Sequence, residues 1–225
     1  AEVAVPHLIP YIGSDEKMLN DAATSTLGNL GPLAKPAVPK LTSALTDSKV
    51  YVRQSAAETL GRLGEVTKVS VPQLALTLKD SEYQVQKAAA RALGKIGRSA
   101  STATPELLGA LKDPFFLVRE AAAEALGEVG ETDEKVVRQL TAALNDSQFF
   151  VRAAAVVALG KLGEASRPAI PKIIEALSNE SDPYNRQVAA EALGKLGKSS
   201  RAAIPQLTKA LTDEQPNVRA AAEKA

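Results

Sequence analysis

Apolar residues recur with helical spacing twice within residues 35–64, KPAVPKLTSALTDSKVYVRQSAAETLGRLG. The first run predicts a helix with one buried stripe, formed by Val38, Leu41, Ala44 and Leu45. The second run predicts a longer helix with a buried face formed by Val52, Ala56, Leu60 and Leu63. Between the two runs, Asp47 and Ser48 offer side-chain oxygens that we expect to cap the second helix. The segment therefore predicts two antiparallel helices joined by a short turn.

This two-helix pattern returns about every 33 residues along the chain. A cluster with two glycines closes most of the repeats, at residues 27–31, 60–64, 93–97, 126–130, 159–163 and 193–197. We expect the second helix of residues 35–64 to end at Gly61 and Gly64, with Gly64 as its C-cap. One helix pair cannot bury both of its faces, so this period predicts stacked repeats rather than a single globular core.

The predicted fold is an all-α, right-handed α-solenoid of about seven stacked antiparallel helix pairs. The chain is expected to form a single repeat domain, 1–225, with the last repeat truncated. The repeats are predicted at approximately 1–33, 34–66, 67–99, 100–132, 133–165, 166–199 and 200–225. Neither end carries a polar capping repeat, so we expect either that the sequence is a fragment of a longer solenoid or that its ends contact another chain.

One column of the second helices is always alanine. Its members lie four residues after the first buried position of each second helix: Ala23, Ala56, Ala89, Ala122, Ala155, Ala189 and Ala222. A methyl side chain lets neighbouring helices approach closely and loses no rotamer freedom in a helix. This column is therefore predicted to be the seam between repeats.

The repeats resemble HEAT repeats, in particular the short HEAT-like type of phycobilisome lyase subunits. The matching features are a proline in the first helix, an aspartate at the turn, a Val-Arg pair that opens the second helix and a closing AAxALGxLG. Four repeats carry the aspartate and the arginine six residues apart, as Asp47/Arg53, Asp113/Arg119, Asp146/Arg152 and Asp213/Arg219. We expect this series to be a structural ladder in which the arginine bridges to a neighbouring aspartate, because catalytic groups are usually singular rather than periodic. Gln86 and Asn185 depart from the pattern, and the sixth repeat has one extra residue within 178–185.

Composition excludes several classes of function. The formal charge is +1 and cysteine is absent, so no global field, disulfide or zinc–thiolate site is expected. His7 is the single histidine, which argues against a metal site and against a Ser-His-Asp triad. No phosphate-binding loop or long apolar run occurs. We therefore predict no catalytic residues, no cofactor, no metal and no membrane span, and we assign the chain to the cytoplasm by default as a soluble protein.

The outward stripe of the second helix varies between repeats and is a candidate binding surface. The resemblance implies that this helix lines the concave face. Its predicted contributors are a basic triplet, an acidic triplet and an apolar position: Lys87, Arg91, Lys95; Glu120, Glu124, Glu128; and Val157, with Ala153 and Lys161 in the same repeat. Either the two triplets form a bipolar docking site, or they pair with each other across adjacent helices. The acidic triplet interrupts any cationic track and tryptophan is absent, which argues against nucleic-acid binding.

Aromatic residues are rare, and seven of the eight lie one to three residues before the opening position of a second helix. They are Tyr51, Tyr83, Phe115, Phe116, Phe149, Phe150 and Tyr184. Either these rings form an exposed edge that docks a partner, centred on Phe115, Phe116, Phe149 and Phe150, or they fold down and fill gaps between helix pairs.

The sequence favours a non-enzymatic scaffold that binds a protein partner through the concave face and the aromatic edge. The alternative, which rests on the resemblance, is a subunit of a bilin lyase. A nucleic-acid-binding HEAT-like protein is the weaker third class, because the cationic track is interrupted.

Overall fold

The structure is a computed structural model that describes residues 4–179 and 181–225, without the side chain of Asn179. These residues form α-helices, 3₁₀ helices and turns, and none of them lies in a strand. The predicted all-α fold of repeated helix pairs is confirmed. The chain divides into two compact units, Ala1–Val129 and Gly130–Ala225.

The first unit is built from short and long helices in alternation. In chain order, they are α1 Val5–Leu8, α2 Lys17–Leu30, α3 Val38–Ala44, α4 Val50–Leu63, α5 Val71–Thr77, α6 Tyr83–Ile96, α7 Thr104–Ala110 and α8 Phe116–Val129. Segments of 3₁₀ helix cover Ile9–Tyr11, Gly31–Ala37, Gly64–Ser70 and Gly97–Ala103. The long helices α2, α4, α6 and α8 pack side by side, and α3, α5 and α7 each pack on the long helix that follows.

The second unit continues the alternation. Its helices are α9 Glu134–Ala143, α10 Phe149–Leu162, α11 Ile170–Asn179, α12 Pro183–Leu196, α13 Ile204–Ala210 and α14 Pro216–Lys224, with 3₁₀ segments at Gly163–Ala169 and Gly197–Ala203. The long helices α10, α12 and α14 again pack side by side. The extra residue predicted within 178–185 falls around Glu180, which lies outside the described residues.

The predicted core of the type repeat is confirmed. All eight apolar residues assigned to the two stripes of residues 35–64 are buried. The alanine column is also buried in every repeat: Ala23, Ala56, Ala89, Ala122, Ala155, Ala189 and Ala222. The column is therefore part of the buried core of every repeat.

The two glycines of each cluster have different roles, and the prediction that both end the helix is wrong. Gly61 lies inside α4, and a Cβ there would come 2.8 Å from the Cα of Ala92 on α6. Gly64 follows the last residue of α4 with φ of +66°, a conformation that suits glycine. The first glycine thus allows close helix approach, and the second ends the helix.

The turn aspartates do not cap the second helices in the predicted way. The N-cap of α4 is Lys49, and the side chain of Asp47 accepts a hydrogen bond of 2.9 Å from the Lys49 backbone N–H. The same bond recurs in four other turns, where the backbone N–H of the residue two places on donates to the carboxylate of Asp80, Asp113, Asp146 or Asp213. Each carboxylate therefore holds the turn that leads into the helix, rather than the first turn of the helix itself.

The expected bridges between repeats are present. Arg53 on α4 donates to both carboxylate oxygens of Asp80 in the next repeat, at 2.7 and 2.9 Å. Its remaining nitrogen donates to the carbonyls of Asp47 and Ser48 in its own turn. Arg186 and Asp213 make the same two-bond contact in the second unit, at 2.8 and 2.9 Å.

The ladder changes where the sequence departs from the pattern. Gln86 takes the arginine position of α6, and no hydrogen bond joins its side chain to Asp113 among the described residues. Asn185 replaces a buried valine on α12 and is 1% exposed. Both polar atoms of its side chain lack a hydrogen-bond partner in the described part of the chain. Because an unpaired buried amide lowers stability, Asn185 destabilises the start of α12.

The Arg53–Asp80 bridge predicts opposite effects for two exchanges in the first unit. Arg53→Gln leaves a carboxylate that is 11% exposed without its partner, and we expect a loss of about 2 kcal/mol in the free energy of unfolding. Gln86→Arg supplies the missing partner of Asp113, with an expected gain of about 1 kcal/mol. Denaturant unfolding followed by circular dichroism measures both. Adding Asp113→Asn to Gln86→Arg should remove the gain, and a gain that survives contradicts the bridge.

The same pair predicts a pH dependence. Burial alone raises the pKa of Asp80, but the hydrogen bonds from Arg53 and from the Glu82 backbone outweigh it and hold the pKa below the ordinary 3.8. A carboxyl with a lowered pKa contributes stability above its unfolded pKa, and this stability is lost as pH falls through the folded pKa. The stability difference between the parent chain and Arg53→Gln should therefore be full at pH 7 and narrow below about pH 3.8. Unfolding curves at a series of pH values test this, and a constant difference contradicts it.

Candidate protein-binding surface

The basic and acidic triplets lie on adjacent long helices of the first unit. Arg91, Lys95, Glu124 and Glu128 are exposed, while Lys87 and Glu120 are half-buried. Arg91 Nε lies 3.8 Å from a Glu124 carboxylate oxygen, and each side chain is 47% exposed. The predicted pairing across helices thus occurs at the middle of the stripe. An exposed pair of this length contributes little to stability, so it leaves both groups available to a ligand.

The environment of Glu120 opposes its charge. Burial raises the pKa of Glu120, the nearby Glu124 carboxylate raises it further, and Arg91 and Lys87 partly offset both effects. The net effect is a raised pKa, so these two cations do not fully compensate the buried charge.

A groove of about 300 Å³ runs between α4 and α6. Its floor is formed by Gly61, Ala88 and Ala92, and its charged lining residues are Glu58, Arg62, Lys87, Arg91 and Lys95. Tyr83, Gln84 and Leu117 lie at the end where α6 begins, and Gln54 completes the lining. All three basic residues predicted for the surface therefore line a single groove.

Sequence reasoning missed half of this groove. Gln54, Glu58 and Arg62 belong to the stripe of the preceding repeat, at the same three positions as Lys87, Arg91 and Lys95. The repeat pattern could have predicted them, because a groove between two helices is lined by residues of both helices. In the second unit, Val157 on α10 is half-buried, and Ala153 is buried, so the expectation that Ala153 is presented on the stripe is wrong.

The structure separates the aromatic residues into exposed and half-buried rings. Phe115 is 50% exposed, Phe150 43% and Tyr184 51%, while Tyr51, Tyr83, Phe116 and Phe149 are half-buried. Each double phenylalanine thus has one outer and one inner ring. The inner rings are partly packed and the outer rings face solvent, and the docking of a partner by the exposed rings stays a prediction.

Two aromatic contacts give the exposed rings a defined place. Phe115 stacks on Tyr83 of the preceding repeat, with ring centroids 4.9 Å apart. Since Tyr83 also lines the groove between α4 and α6, this pair stands at one end of that groove. In the second unit, the Phe149 and Phe150 centroids are 3.8 Å apart. Tyr51 instead serves packing, because its hydroxyl donates to the carbonyls of Ser14 and Asp15 at 3.0 and 3.2 Å.

None of the described helices combines the length and apolar character needed to cross a bilayer. No group of three or more histidine, cysteine, aspartate or glutamate residues is placed to hold a metal ion in the described part of the chain.

Known structures resemble this fold over most of the chain. The complex of CpcE and CpcF of phycocyanin lyase from Nostoc sp. gives a TM-score of 0.65 at 23% identity, and the match covers 96% of this chain and 91% of that chain. An engineered protein gives 0.70 at 21% identity, with 98% of this chain and 67% of that chain covered. A mutant of Kap121p gives 0.76 at 14% identity, with 99% of this chain but 28% of that chain covered. At these identities, the likeness concerns the fold alone.

Family models match nearly the same residues that carry the repeat pattern. No curated protein matches the chain in sequence. A model of the PBS lyase HEAT-like repeat matches residues 151–179, and a HEAT repeat model matches residues 37–67. A further model of HEAT repeats matches residues 71–160 and 170–225, which is more than half of the sequence. The chain therefore belongs to the HEAT repeat family.

Proposed function

We propose that the protein is a non-enzymatic scaffold that binds a partner protein through the outward stripe of its long helices and the exposed aromatic rings beside it. The observation that carries the proposal is the stacked pair of Phe115 and Tyr83 at the end of the groove between α4 and α6. The chain has only eight aromatic residues, and one of them, Phe115, is 50% exposed at this position. Aromatic anchors dominate many interfaces because they bury a large area and lose little conformational entropy.

The chemistry of the groove supports a binding role. Its lining consists of long charged side chains, one tyrosine and one leucine around a floor of small residues, which is the mixture of a polar rim and an apolar anchor point typical of interfaces. The charged stripe residues Lys87, Arg91, Lys95, Glu120, Glu124 and Glu128 are proposed to select the partner. In the second unit, Phe150, Tyr184 and Val157 are the proposed counterparts.

The anchor role of Phe115 predicts a loss of binding without a loss of stability. Phe115→Ala should lower the affinity for the partner protein by about tenfold or more, because truncation of a central aromatic anchor typically costs at least about 1.4 kcal/mol of binding free energy. Affinity capture from the source cells identifies partners by mass spectrometry, and titration calorimetry with the identified protein measures the affinity. The melting temperature should stay close to that of the parent, because the ring is 50% exposed.

Leu76→Ala is the matched control for this measurement. Leu76 belongs to the preceding repeat, which also contains Tyr83, is 62% exposed, and lies on the short helix α5 rather than on the groove. It should leave the affinity unchanged. Equal affinities for the two variants would contradict the role of the aromatic pair.

A subunit of a bilin lyase is the second candidate, and two observations favour it. Residues 151–179 match the PBS lyase HEAT-like repeat, and the fold is similar to the complex of CpcE and CpcF of phycocyanin lyase over 96% of the chain. If the chain acts in this way, mixing it with a bilin and an apo-phycobiliprotein should shift the bilin fluorescence. The same mixture without the chain gives the baseline. No shift, with and without proteins co-purified from the source, would exclude this candidate in favour of the scaffold.

A further inference from the structure

We propose that the groove between α4 and α6 binds an extended acidic peptide segment, with carboxylates at alternate positions and an apolar side chain at the end next to Tyr83. This inference rests on the proposed function only in assigning the segment to a protein partner.

The charge of the groove is one-sided. Four of its lining residues are cations, Arg62, Lys87, Arg91 and Lys95, and one is an anion, Glu58. This balance differs from that of the whole chain, which has 27 basic and 26 acidic residues. A cleft lined by one sign of charge concentrates ligands of the opposite sign.

These cations are not neutralised within the described part of the protein. Arg62, Lys87 and Lys95 have no carboxylate within 4.0 Å there, and Arg91 has only the long contact of 3.8 Å with Glu124. Glu58 accepts a hydrogen bond of 2.8 Å from the Gln54 side chain. The groove therefore presents solvated cations that an external carboxylate can pair with.

The floor of the groove admits a peptide main chain. Its residues are small: Gly61 packs against the Ala92 backbone and the stem of Lys95, and the side chains of Ala88 and Ala92 end at a methyl group. Longer basic side chains, Arg62 on α4 and Lys87, Arg91 and Lys95 on α6, line the groove around this floor. A volume of about 300 Å³ is too small for a helix, whose diameter with side chains is about 10–12 Å, but it accommodates a short extended segment.

The spacing of the cations matches that of an extended peptide. Lys87, Arg91 and Lys95 are four residues apart on α6, so they are separated by about 6 Å along the helix axis. Alternate side chains of an extended peptide lie on one face about 6.6 Å apart. Three carboxylates at alternate positions can thus meet the three cations at once.

At the end of the groove where α6 begins, two further features can contact the peptide. Tyr83 and Leu117 offer an apolar surface one helical turn before Lys87, where Phe115 extends it. The side-chain oxygen of Gln84, which also lines the groove, is shielded from solvent and has no partner among the described residues. A backbone N–H of an extended peptide can donate to this oxygen once the Gln84 amide rotates toward the groove, since such a peptide has unpaired donors.

Nucleic acid fits this surface less well. The cationic stripe on α6 is about 12 Å long, and the acidic stripe of Glu120, Glu124 and Glu128 lies directly beside it on α8. A nucleic-acid backbone that continues past α6 meets these carboxylates and is repelled. A short peptide can end before them.

Fluorescence anisotropy with a labelled peptide tests the proposal directly. The probe is a synthetic peptide of sequence Phe-Ser-Glu-Ser-Glu-Ser-Glu, in which the phenylalanine and the three glutamates share one face of the extended chain. It is compared with Phe-Ser-Gln-Ser-Gln-Ser-Gln, with a peptide of the same composition whose three glutamates are consecutive, and with a single-stranded DNA oligonucleotide. The alternating acidic peptide should bind best. Affinity should fall as salt is raised, because the contacts are between solvated charges.

Substitutions separate the groove from general charge attraction. The double variant Lys87→Ala, Lys95→Ala should lower the affinity for the acidic peptide by about tenfold. Lys68→Ala with Lys79→Ala removes the same charge from exposed lysines outside the groove and should have little effect. Glu120→Gln should strengthen binding by about two- to threefold, because it removes a neighbouring negative charge.

Four results would overturn the proposal: equal binding of the glutamine peptide, stronger binding of the DNA, equal loss in the two double variants, or no binding of the acidic peptide at all. Failure here is distinguishable from failure of the scaffold function. If the acidic peptide does not bind but capture of a protein partner still depends on Phe115, only the identity of the bound segment is wrong.

Discussion

The structure depends on how closely the long helices approach one another. The seam between α4 and α6 has a glycine facing an alanine, and a single added carbon at Gly61 would come 2.8 Å from the backbone of Ala92. Gly94 and Ala125 repeat this relation one repeat later, at 3.0 Å. Since the contact is backbone against backbone, there is little side-chain rearrangement that can relieve a larger residue.

Close approach also shapes the surface. When two helices meet through glycine and alanine, the next residues outward are long side chains on both sides, and a groove with a low floor results. The small residues that let the helices pack closely are thus also those that form the floor of the groove.

The sequence was informative about everything periodic. The core stripes, the alanine column and the bridge from an arginine to the next aspartate all follow from positions that recur, because a repeated contact leaves a repeated residue. The sequence did not show which residue of a motif has which structural role. Gly61 and Gly64 both look like helix ends, yet only the backbone shows that the helix continues through the first. Likewise, Phe115 and Phe116 are identical residues, and only the neighbouring turn with Tyr83 decides which ring is outside.

The bridge between repeats has a consequence for how the chain can change in length. Arg53 and Asp80 are 27 residues apart, and so are Arg186 and Asp213, although the second pair follows the extra residue of the sixth repeat. Both bridges therefore use the same offset, counted from within one repeat to the start of the next. A whole repeat copied in tandem arrives with both halves of its bridge in register, so the chain can grow by duplication without the evolution of a new interface.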